Sequence, residues 1–99
     1  MDKIYRSFKV FVDDNFHFMD ESKRYEEGEY ETYEEAVEVC KKIIDQFLDV
    51  NYSEGMSAKE LYDKYKAFGS DPFVVPKPEK AEFYSWGYAK KRCSVLCGK

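Results

Sequence analysis

The chain has 99 residues, 43% of them hydrophobic and 18% aromatic, with 16 basic against 20 acidic side chains for a net charge of −4. That length accommodates one domain core and excludes two, and the apolar fraction excludes a disordered tail. The acidic balance disfavours nucleic acid and anionic membrane as partners, and no apolar run approaches the ~18 residues of a membrane span.

The first element is a strand over 5–12, where Phe8, Val10 and Val12 share one parity and Lys9 and Phe11 take the other. Asp13-Asp14-Asn15 bends or ends it, because short polar side chains bond their own backbone. Phe16 to Met19 either continues the strand or opens a loop, Asp20 to Lys23 turns, and Arg24 to Tyr30 returns as a second strand. Tyr25 and Tyr30 fall on opposite parities, so a bulge near Gly28 is needed to bring both rings to one face.

Thr32-Tyr33-Glu34-Glu35 spells a capping box and starts a helix over 32–49. Its apolar stripe is Ala36, Val39, Cys40, Ile43, Ile44, Phe47 and Leu48. Ser57-Ala58-Lys59-Glu60 spells a second box, opening a helix over 57–68 that Gly69 stops. Phe73-Val74-Val75, closed by Pro76, reads as an edge strand or an extended segment. Ser85 is the expected cap of a third helix over 85–97, with Trp86, Ala89, Cys93 and Leu96 on its buried face. The expected core is Phe8, Val10, Val12, Ala36, Val39, Cys40, Ile43, Phe47, Leu61, Tyr65, Phe68, Trp86 and Leu96. These elements predict a single α+β domain, 1–99, in which an antiparallel hairpin of two strands, or three with Phe73–Val75, packs against about three α-helices.

Over residues 8–48 the segments VDDNFHFMDE, RYEEGEYET and the EEA…C…I helix resemble small uncharacterised bacterial proteins. The resemblance implies a hairpin followed by a helix and a bacterial cytosolic source, and it carries no catalytic residue. A cytosolic location also follows from an N-terminus whose charges interrupt any leader-like run, and from three cysteines that cannot all pair.

Two constellations carry chemistry. Asp13, Asp14, Asn15, His17, Asp20 and Glu21 concentrate carboxylates around the only histidine, as a divalent cation or a general base would require. The EF-hand spacing fails, however: counting from Asp13, the glycine position holds Phe18 and the bidentate glutamate position holds Arg24. A polar hairpin tip at or near the surface accounts for the segment, and it offers a ligand or partner surface. Lys90, Lys91 and Arg92 form a basic patch interleaved with Tyr84, Trp86 and Tyr88, a pattern that stacks and neutralises nucleic acid. The helical period sends Trp86 inward, and cations are favoured at a helix C-terminus in any case. Residues 1–35 carry −6 and residues 77–99 carry +4, so the two ends can meet within one molecule or between two.

Cys93 and Cys97 lie one helical turn apart, but zinc knuckles on turns look different, and buried thiols filling a core explain them. No phosphate-binding glycine loop is present, and no cofactor is implied. The expected function is a non-enzymatic protein-interaction module, with a protein partner or a second copy as its target. The alternative is a metal- or small-ligand-binding enzyme using the acidic His17 loop.

Overall fold

The computed structural model describes residues 7–17 and 24–98. It is an α+β fold: a three-stranded antiparallel sheet with three helices. The strands are β1 (Phe8–Asp14), β2 (Tyr25–Tyr30) and β3 (Ser70–Val75), in the order β2-β1-β3. The helices are α1 (Tyr33–Asn51), α2 (Ala58–Phe68) and α3 (Ser85–Leu96). The apolar run at 73–75 is therefore the end of a third strand, and Pro72 is tolerated within it because β3 is an edge. Among the described residues no helix is long and apolar enough to cross a membrane.

The alternation along β1 sorts its side chains. Phe8, Val10 and Val12 are buried, and opposite Val10 and Val12 stand Val74 and Pro72 of β3, also buried. On the other face Phe11 stacks on its neighbour Phe73, with ring centroids 5.9 Å apart. The β1–β2 register slips between Val10 and Phe11: Val10 faces Gly28, Phe11 faces Glu26, and Glu27 has no opposite residue. This bulge puts Tyr25 opposite Val12 and Tyr30 opposite Phe8, on one face of the sheet. Gly28 has a specific use there, because a Cβ would stand 2.6 Å from the Tyr30 hydroxyl folded over it.

Both capping boxes form. The Thr32 and Ser57 side chains accept the amides of Glu35 and Glu60, and each glutamate accepts the cap residue's own amide. The third helix corrects the sequence reading: Tyr84 is its cap residue, without a side-chain cap bond, and Ser85 lies inside the first turn. The buried Ser85 hydroxyl donates instead to the Pro72 carbonyl on β3. A tertiary acceptor has taken the hydroxyl that local spelling assigned to the helix end.

The core has two adjoining parts. One joins Phe8, Val10, Val12 and Val74 of the sheet to Ala36, Val37 and Cys40 of α1. The other joins Ile44 and Leu48 of α1 to Leu61 and Tyr65 of α2 and to Ala89 and Cys93 of α3. Phe83, in the segment before α3, packs against both. Several expected core positions are corrected. Val39, Ile43, Phe47, Trp86 and Leu96 are only partly buried at the flanks of these clusters. Phe68 is 60% exposed, stacked on Phe16 at 5.5 Å on the surface. Phe68 ends α2 at the start of the turn into β3, where nothing among the described elements lies over it fully.

Candidate functional site

The described part of the acidic segment is occupied with its own structure. The Arg24 guanidinium forks onto Asp13, with Nε 2.7 Å from Oδ1 and Nη2 3.1 Å from Oδ2. The same guanidinium lies 5.0 Å from the Phe73 ring centre. Asp14 Oδ1 accepts the Phe16 amide at 2.9 Å, closing a turn of the chain on itself. Asn15 is buried rather than presented to solvent: its Nδ2 donates to the Tyr65 carbonyl at 2.9 Å, and its amide donates to the Gly69 carbonyl at 2.9 Å. These two bonds tie the tip of β1 to the end of α2. The backbone of Asn15–His17 makes one 3-10 turn, and Asp20 and Glu21 lie outside the described residues. Among the described residues no group of three or more His, Cys, Asp and Glu side chains is placed to hold a metal ion.

Two of the three thiols, those of Cys40 and Cys93, are poor nucleophiles. Cys40 and Cys93 are buried, and Cys97 is partly so. Burial, with the Asp71 charge adding to it, pushes the Cys40 thiol up to about 12. Burial, with Cys97 adding to it, pushes Cys93 up to about 11. The reactive species is the thiolate, so neither side chain is activated at neutral pH.

The basic patch is divided among three environments. Lys90 is exposed. Arg92 Nε lies 3.2 Å from Asp45 Oδ1 on α1, an ion pair within the molecule. Lys91 lines a groove.

That groove, of about 560 Å³, runs between the first halves of α1 and α3. The two helices lie side by side in the same direction. Tyr33 and Phe83 pack against the same cluster at one end, and Asp45 meets Tyr88 and Arg92 further along. Tyr33 and Val37 on α1 are four residues apart, as are Tyr84 and Tyr88 at α3, so each helix turns one ladder of side chains toward the other. Phe83 lies between them, packed at 6.1 Å against Tyr88. The Tyr88 hydroxyl donates to both Asp45 oxygens, at 2.9 and 3.0 Å, and burial together with that carboxylate raises its pKa to about 12. Tyr88 is thereby a neutral, fixed wall. Tyr84 is 64% exposed at the mouth. Gly87 keeps the α3 wall low, since a Cβ there would stand 3.1 Å from the Tyr84 ring. Glu34, Glu38, Lys41, Glu82 and Lys91 supply the charged rim.

In the sequence Tyr84 and Tyr88 stand beside the basic run, while Tyr33, Val37 and Phe83 carry no assigned role. The usable signal is the four-residue spacing of 33, 37 and 41 on α1 and of 84 and 88 at α3. Those positions form a second stripe on each helix, offset from the one that fills the core. No family model, curated protein or solved structure matches the chain.

Proposed function

We propose that this protein is a non-enzymatic binding module that docks a segment of a protein partner in the groove between α1 and α3. The observation that carries the reading is the groove itself: a volume of about 560 Å³ whose walls are the rings of Tyr33, Phe83, Tyr84 and Tyr88 with the aliphatic Val37. Concave, mostly apolar sites with a few charged groups at the edge are the usual form of a recognition pocket. Two further features support binding over catalysis. Cys40 and Cys93 are held as thiols, and Asp13 and Asp14 already serve Arg24 and the Phe16 amide. With Arg92 committed to Asp45, the basic run offers a nucleic acid less than its spelling suggests. The resemblance of residues 8–48 to small bacterial proteins, together with three unpaired cysteines, supports a place in a bacterial cytosol.

The groove, rather than strand addition, is the docking surface because both sheet edges are blunted. The β2 edge carries Glu26, Glu27 and Glu29. On β3, Pro72 has no amide hydrogen, and its carbonyl is taken by Ser85. An amide-shift map tests the assignment. Titration with a blocked Leu-Phe-Leu peptide should move the amides of Tyr33, Val37, Tyr84, Gly87 and Tyr88 together. Shifts gathered instead at Asp13–His17, or manganese broadening confined there at micromolar metal, would transfer the site to the acidic loop and overturn the groove.

A further inference from the structure

The charges on the groove rim are sorted along its length. Glu34 follows Tyr33 and Glu82 precedes Phe83 in the chain, and Tyr33 and Phe83 pack against the same sheet-side cluster, which sets both acidic residues toward one end of the groove. Lys41 Nζ lies 5.6 Å from the Tyr88 ring centre, and Lys91 follows Tyr88 by one turn, so both ammonium groups stand at the other end. Glu38, between them, is 3.7 Å from Lys41 and is the only rim carboxylate given an ion pair among the described residues. Glu34 and Lys41 are seven helical residues apart, about 10 Å along the axis at 1.5 Å per residue. An extended chain covers that distance in three steps of about 3.3 Å.

We infer that the groove takes an extended partner segment with a basic and an acidic residue three positions apart and apolar residues between them. The inference rests on the docking reading above and adds the chemistry of the occupant. The partner's cation meets Glu34 and Glu82, its anion meets Lys41 and Lys91, and its intervening side chains cover Val37 and the Tyr88 ring. A segment with like charges at both ends would set one of them against its own sign.

Four blocked tetrapeptides test it by amide-shift titration: Lys-Phe-Leu-Glu, Gln-Phe-Leu-Gln, Lys-Phe-Leu-Lys and Glu-Phe-Leu-Glu. At about 20 mM salt the first should bind about two- to fivefold tighter than the neutral peptide, the range expected of two exposed ion pairs, with the advantage fading near 0.5 M. The double substitution Glu34→Lys with Glu82→Lys alters two exposed positions outside the capping box. It should make Glu-Phe-Leu-Glu the tightest of the four. Equal binding of the neutral peptide, a like-charged peptide ranking first on the unaltered protein, or a ranking unmoved by the double substitution would each overturn the charge assignment while leaving the groove as a docking site. If none of the four moves the groove amides, the docking reading fails as well.

Discussion

Asp71 stands directly opposite Asp13 in the β1–β3 pair, an arrangement of like charges that ordinarily destabilises a sheet. Arg24 relieves it at Asp13, forking onto that carboxylate, and the nearby Ser85 side chain favours the ionised form of Asp71. The relief is incomplete: burial, with Asp13 adding to it and Ser85 opposing it, holds the Asp71 carboxyl above its ordinary pKa of 3.8. A carboxyl whose folded pKa is raised contributes most when protonated, and that contribution is lost as pH rises from the ordinary value through the raised one. Asp71→Asn should therefore increase the urea midpoint at pH 7, with the difference from the unaltered protein vanishing near pH 3. A lower midpoint at pH 7 would mean that the ionised form is favoured in the folded state. Asn15 carries the opposite lesson at the same scale. The two residues before it are carboxylates, so it reads as part of a polar surface, yet its side-chain amide is buried against α2.

Within α1, Ile44 is fully buried between α2 and α3, whereas Ile43 packs at the flank of the sheet-side cluster. Ile44→Ala should cost about 2–5 kcal/mol, in the range of buried large-to-small changes, and Ile43→Ala clearly less. Equal shifts of the urea midpoint would show that the helix is rotated from the orientation described. The difference illustrates what was legible. Helix starts at Thr32 and Ser57 were readable because a capping box is a contact between residues three apart. The bulge was readable because parity is local. Which of two adjacent isoleucines reaches the centre depends on where α3 lies, and no local pattern encodes that. The same is true of the groove, which exists only because α3 lies alongside α1. Ser85 was misread for a related reason: its hydroxyl had a choice of acceptors, and the one that won is 13 residues away.

At the scale of the whole molecule, Cys40 reports on the sheet-side cluster and Cys93 on the helical one, while the partly exposed Cys97 belongs to the flank of the latter. Cys97 should therefore react first with Ellman's reagent. Cys40 and Cys93 should follow slowly at one common rate, because the Phe83 ring packs against both clusters and couples their opening. Phe83→Ala should separate those two rates. A common rate in that variant would assign the coupling to α1, which also runs through both clusters.

The position of α3 has a consequence for synthesis. Translation delivers the sheet hairpin, α1, α2 and β3 before it delivers Ser85–Leu96. Until then Ile44, Leu48, Leu61 and Tyr65 lack the Ala89 and Cys93 side that encloses them. A nascent chain ending short of residue 85 thus displays this apolar surface to whatever binds exposed apolar segments at the ribosome, and it is α3 that withdraws it.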